Sequence, residues 1–231
     1  VEAALDVAVA AGATRPEQPR LRVRHPLPSL PDRLPASVYS GGYVVLHPGA
    51  SVPARGLRAD HAAAIAAALA AAGHAVVVTG GPAERELVAE TVALARQHCP
   101  DATVLDLAGA TDLAGLAAVL EAADCTVVGN TGPAHLSAAV GTPVVSLFSP
   151  VVPAERWRPY GVPVRLLGDQ HAPCRDSRAR DCPVPGHPCL SGVSGADVVA
   201  AVAELTQPTD QPVRAAHEAG GGPLSTSRGD R

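Results

Sequence analysis

Between residues 43 and 167, short uninterrupted apolar runs alternate with longer segments of helical spacing. The runs are YVVLH (43–47), AVVVT (75–79), TVLDL (103–107), 126–128, 144–148 and 164–167. Their apolar positions are continuous rather than every second residue, which is the pattern of strands covered on both faces. The segments between them, 59–72, 83–97, 112–123 and 133–140, predict helices, and Gly73 stops the first. Strand and helix in strict alternation predict an α/β fold, a Rossmann-like parallel sheet with helices on both faces and right-handed crossovers. In such sheets ligands bind beyond the carboxyl ends of the strands, where strand order reverses. Four of the runs end in turns bearing Gly or Pro: His47-Pro48-Gly49, Thr79-Gly80-Gly81, Ala108-Gly109 and Gly129-Asn130-Thr131-Gly132. These turns are expected to converge on one crevice.

The flanks read differently. Residues 1–14 have helical apolar spacing, and 15–42 are rich in Pro and Arg, with one short candidate strand at 21–23. A Cys-rich loop spans 171–190, and 195–205 predict a last helix. From 207 to 231 the chain is Pro, Gly, Ser and charge, a composition expected to be disordered. The expected organisation is therefore 1–42 as the end of a preceding domain plus a linker, 43–206 as the Rossmann-like domain, and 207–231 as a tail.

Composition narrows the partners. Net charge is −4, with no basic excess, which argues against a nucleic-acid surface. Lys and Met are absent and residue 1 is Val, from which a fragment or processed product is expected. No apolar stretch reaches the length of a membrane span and no secretion signal is evident, so the expected location is cytoplasmic.

Four groups of residues can carry chemistry. In HPGASVPAR (47–55), Gly49 permits close backbone approach, Ser51 offers a hydroxyl and Arg55 a guanidinium suited to phosphate; the alternative is an ordinary loop with a solvated Arg. In GGPAERE (80–86), Gly80 and Gly81 allow close approach, and Glu84 either complements the helix dipole or accepts bonds from ribose hydroxyls. In NTGPAH (130–135), Asn130 and Thr131 are cap-type residues. The amides of Thr131 and Gly132 are expected to open a helix toward an anion, with His135 as a further donor. Finally, Cys174, Cys182 and Cys189 with His171 and His187 offer a thiol–imidazole set for Zn or iron–sulfur ligation, although the spacings lack the short C-x₂-C. Free structural thiols in a rigid loop are the favoured reading, with a metal set of Cys174, Cys182, His187 and Cys189 as the alternative. Cys99 and Cys125 read as buried small hydrophobes, and Trp157 as a packing residue. No GxGxxG or P-loop pattern is present, and no carboxylate pair suits acid–base work.

The order HPGAS, Arg55, VVVTGGPAERE, DLAGATDLAGLAAVL, GNTGPAHLSAAVGTPVVSLFSP and PAERW, across residues 43–205, resembles the C-terminal half of family 9 glycosyltransferases, the ADP-heptose:lipopolysaccharide heptosyltransferases and their relatives. The resemblance implies a GT-B fold of two facing Rossmann-like domains, of which this half holds the donor. It implies metal-independent sugar transfer with inversion, no required cofactor, and a nucleotide diphosphate sugar as donor, of ADP-heptose type. It implies a glycan or glycolipid acceptor of the cell envelope and peripheral membrane association of the full enzyme. Position by position, Ser51 and Arg55 fall where the family contacts phosphate, Glu84 where it binds ribose, and Asn130, Thr131, Gly132 and His135 on its diphosphate turn. The general base lies in the family's N-terminal domain, so no catalytic residue is assigned here, and a complementary N-terminal half is the expected partner. Asn130 stands where the family often has Asp, Arg55 where it has Lys, and Gly56-Leu57 where it has Trp-Pro. Alternative readings are a nucleotide-sugar epimerase, a truncated or non-catalytic nucleotide-binding module, and a metal-dependent structural protein built on the Cys loop.

Overall fold

The computed structural model describes residues 1–207. Six strands form one sheet: β1 Tyr43–His47, β2 Ala75–Val78, β3 Val104–Asp106, β4 Cys125–Gly129, β5 Val144–Leu147 and β6 Val164–Leu167. Their order is β3-β2-β1-β4-β5-β6 and every neighbouring pair is parallel. The helices are α1 Glu2–Ala10, α2 Ala36–Gly41, α3 Ala59–Ala71, α4 Arg85–His98, α5 Leu113–Glu121, α6 Gly132–Val140, α7 Ala154–Trp157, α8 Pro188–Ser191 and α9 Gly195–Thr206.

The continuous apolar runs are explained by cover on both faces. In β1 every residue is buried, with Val44 and Leu46 facing one layer and Tyr43 and Val45 the other. The first layer is α3, α4 and α9, contributing Ile65, Leu69, Val88 and Val198. The second is α2, α5 and part of α6, contributing Val38, Val119 and Leu120 with Leu136 at its margin. The Tyr43 hydroxyl cannot be buried unpaired without cost, and it donates to the Val119 carbonyl at 2.6 Å.

This topology has one reversal. From β1 the chain steps outward through β2 to β3, then α5 returns it to β4 on the opposite side of β1. The helices that follow β1 and β4, α3 and α6, therefore lie on opposite faces of the sheet, and this reversal is where a doubly wound sheet places its ligand crevice.

Three local expectations change. Residues 21–23 form no strand; Pro16, Pro19, Pro26 and Pro28 surround them, and Leu21 remains exposed. The short helix α2 was not legible in a Pro-flanked segment, and it forms because Val38 is drawn into the second layer. Residues 82–84 form a separate 3₁₀ turn before α4. All of the expected tail except Gln207 lies outside the described residues. Among the described residues, no helix is long and apolar enough to cross a membrane.

Candidate functional site

At the carboxyl rim of the sheet the turns touch one another in sequence. Gly109 N–H donates to the Gly80 carbonyl at 2.8 Å, joining the turns after β3 and β2. Gly49, after β1, packs against the Glu84 carboxylate so closely that a Cβ there would overlap Oε1. Gly129, at the end of β4, lies against the Arg55 carbonyl in the same way. The Asn130 side chain clasps the turn after β5, donating through Nδ2 to the Ser149 carbonyl and accepting from Ser149 N–H, both at 3.1 Å. The predicted convergence of turns is thus a chain of direct contacts.

Within this rim, Glu84 sits at the centre. Its Oε2 accepts from Gly81 N–H at 2.6 Å and lies 3.7 Å from His47 Nε2. The side chain is 23% exposed, so the carboxylate is held by protein on one side and open on the other. Gly80 belongs to the same slot, since a Cβ there would come within 2.9 Å of Val88 and 3.1 Å of the Glu84 Cβ. Arg55 is half-buried and its Nε is buried without a hydrogen-bond partner. A buried charged donor left unpaired is costly, and such an atom marks a place where an acceptor belongs. Ser51 is exposed on the loop before it.

The start of α6 differs in detail from expectation. Thr131 is the N-cap residue but its side chain makes no capping bond. Its amide is already used, donating to the Gly129 carbonyl at 2.8 Å, because the turn out of β4 is tight. Pro133 has no amide hydrogen and Ala134 N–H returns to Thr131. Gly132 N–H therefore remains as the amide facing outward, at an exposed position with open space where a Cβ would stand. Asn130 is 4% exposed and its amide is engaged with Ser149, so it shapes the turn rather than offering a free group. His135 is half-buried one turn into the helix, and burial holds its imidazole below the usual pKa.

The Cys loop forms the outer wall of the same rim. Ala54 N–H donates to the Arg180 carbonyl at 2.8 Å, and His187 Nε2–H donates to the Ala54 carbonyl at 3.1 Å. Asp176 and Arg178 amides donate to the Pro150 and Val151 carbonyls, each at 2.8 Å. The loop thereby braces the turns after β1 and β5. Cys174 and Cys189 are buried, and burial pushes the Cys189 thiol up to about 11. Cys182 instead turns its thiol to the Val184 carbonyl at 3.3 Å. Among the described residues no group of three His, Cys, Asp or Glu side chains converges to hold a metal ion, and all five cysteines are free. Cys125 is fully buried as expected, whereas Cys99, at the end of α4, is partly open. Trp157 does not pack: α7 is a single turn between Pro153 and Pro159 and leaves the indole 51% exposed.

Three histidines here share one electrostatic condition. Burial lowers the pKa of His47, His135 and His187 from 6.5. The unfolded chain binds these protons near pH 6.5 and the native state only at lower pH, so stability falls as pH drops through that window. Asp60 and Asp197, lowered from 3.8, act only at more acidic pH. The expected result is a lower unfolding temperature at pH about 5.5 than at about 7.5, read by thermal scans. An unchanged midpoint contradicts the neutral burial of these rings.

Sequence reasoning named Ser51, Arg55, Gly80, Gly81, Glu84, Asn130, Thr131, Gly132 and His135, and the structure sets all of them in turns or a helix start at the carboxyl rim of the sheet. It did not name His47 among these, whose Nε2 the structure sets 3.7 Å from Glu84 Oε2. The available signal was its position: a polar residue closing an otherwise apolar central run.

Comparisons with known proteins agree with the fold. Residues 12–187 match the model of glycosyltransferase family 9 (heptosyltransferase). The lipopolysaccharide heptosyltransferase 3 of Escherichia coli is 34% identical over 166 residues, which cover 71% of this chain and 46% of that protein. The chain spans about half the length of the curated relatives it matches. Among solved structures, ADP-heptose lps heptosyltransferase II of E. coli shares the fold with a TM-score of 0.59 and 20% identity, covering 85% of this chain and 56% of the other. E. coli heptosyltransferase WaaC, solved with ADP, superimposes with a TM-score of 0.51 and 22% identity over 76% of this chain and 46% of its own. With three-quarters of its length under the family model, the chain belongs to glycosyltransferase family 9.

Proposed function

We propose that this chain is the donor-binding half of a sugar transferase that uses a nucleoside diphosphate sugar. The observation that carries the reading is the buried Arg55 Nε without a hydrogen-bond partner, on the loop after β1 whose main chain packs against Gly129 at the reversal of strand order. In this reading the diphosphate lies across Gly132 N–H, the Thr131 and Ser51 hydroxyls, His135 and Arg55. Helix N-termini and guanidinium groups both favour such an anion. Glu84 accepts from the ribose hydroxyls, and Gly80 and Gly81 keep the wall low enough for the nucleoside to reach it. The adenine nucleotide is favoured because WaaC, a structural neighbour, was solved with ADP.

The transfer itself belongs to the whole assembly. A preceding domain, of which residues 1–42 carry the end and the linker, supplies the general base and binds a glycan or glycolipid acceptor. The chemistry inverts the anomeric carbon, as the family resemblance implies, and fixed donors on the rim neutralise the leaving diphosphate in place of a metal. The reaction takes place in the cytoplasm, with the full enzyme held at the membrane surface where its acceptor resides.

Calorimetry with ADP, GDP and UDP tests the donor site. His135→Ala is expected to weaken ADP binding by about 1–3 kcal/mol, the range for losing a buried or charge-assisted hydrogen bond. Equal affinity in the two proteins removes His135 from the site. No binding of any of the three nucleotides to the wild-type chain removes the site altogether.

A further inference from the structure

Glu84 is the group that the proposed reading places on the nucleoside, and what holds it is a second residue. His47 closes β1, is 6% exposed, and presents its two ring nitrogens to two different elements. Nδ1 lies 3.0 Å from the Thr79 hydroxyl at the end of β2, and Nε2 lies 3.7 Å from Glu84 Oε2 at the start of α4. The carboxylate decides the tautomer. A bare Nε2 lone pair aimed at a carboxylate oxygen would be repelled, so the proton resides on Nε2, and Nδ1 accepts from the Thr79 hydroxyl. Burial keeps the ring neutral, and Glu84 is the charged group that opposes this shift.

The carboxylate has little freedom left. Oε2 takes the Gly81 amide and faces the His47 N–H. The side chain is flanked by Gly49 and Gly80, where any Cβ would meet it. Among the described residues Oε1 has no protein donor. At 3.7 Å the contact from His47 is electrostatic rather than a hydrogen bond.

We propose that His47 is a positioning residue for donor binding: its Nε2–H holds Glu84 in the glycine slot with the rest of the carboxylate turned to the hydroxyls of the bound nucleoside. This rests on the reading of Glu84 as the ribose acceptor. It adds a requirement that the reading alone does not contain, namely that the hydroxyl preference of the site depends on a donor at the position of Nε2.

The test compares ADP with 2′,3′-dideoxy-ADP, whose phosphates are the same and whose ribose hydroxyls are absent. Wild-type protein is expected to prefer ADP by about thirtyfold, a typical cost of an unmatched charged acceptor. His47→Asn keeps a polar atom facing Thr79 but does not reach Glu84. It is expected to bind dideoxy-ADP as the wild type does and to lose about tenfold of the preference. His47→Gln, whose amide reaches the position of Nε2, is expected to restore most of it. Thr79→Val, which frees Nδ1, is the second variant and is expected to lose about threefold. A general structural role would instead weaken both ligands equally and would not be rescued by Gln. Full preference in His47→Asn, or in Thr79→Val should the first not fold, overturns the proposal. A wild-type protein that binds both ligands equally overturns the reading of Glu84 itself.

Discussion

Replacing Gly129 with alanine is expected to cost about 3 kcal/mol of stability, at the upper end for overpacking a core. Gly129 is the last residue of β4, fully inside the sheet and registered opposite Leu147 of β5. An added Cβ would land on the main-chain oxygen of Arg55. Neither side can yield cheaply. The strand is fixed by its ladder, and the Arg55 segment is fixed by Leu57 N–H to the Pro48 carbonyl at 2.9 Å and by Ala54 N–H to Arg180. Because the collision is backbone against backbone, no side-chain rotation relieves it. Urea denaturation measures the loss. Gly132→Ala, three residues on and facing open space, is the control, with an expected change within about 0.5 kcal/mol. A Gly129→Ala protein as stable as this control would show that the two loops are not in contact.

Alanine at Gly49 is expected to act on binding instead. Its Cβ would occupy the position of Glu84 Oε1, which is the far end of a flexible side chain and can swing out toward solvent. The fold survives, and the loss falls on the ligand: about 2 kcal/mol in ADP affinity, or about thirtyfold, within the range for a hydrogen-bonding charged group. The contrast between the two glycines is the informative part. One clash is against main chain and is read in denaturation; the other is against a carboxylate and is read in calorimetry. Unchanged ADP affinity in a folded Gly49→Ala protein would sink the role of Glu84.

The turns were legible because Gly-Gly, Gly-Asn-Thr-Gly and His-Pro-Gly interrupt apolar runs, and only turns tolerate such residues there. Arg55, Glu84 and His135 were legible because chemistry-bearing side chains stood on those turns. The use of the Thr131 amide was not, since whether an N–H is free depends on the tightness of the turn out of β4. Asn130 had read as a cap or a ligand, yet its partner is Ser149, nineteen residues away and on a neighbouring strand's loop. The three cysteines had read first as free structural thiols and second as a ligand set. Cys182 faces the Val184 carbonyl while the other two are buried beneath the rim, a division that spacing alone could not reveal.

The linear order of residues determined the layered α/β architecture, the positions of the strands and the rim on which a ligand would sit, because burial on both faces requires unbroken apolar runs and turns require their own residues. Only the tertiary structure decided which turns meet. The reversal of strand order brings the loop of β1 against that of β4, sets Gly49 on Glu84 and Gly129 on Arg55, and aims His47 at a carboxylate thirty-seven positions away. Contacts of that kind are set by how the sheet is wound, and no local pattern of hydrophobic and polar positions encodes them.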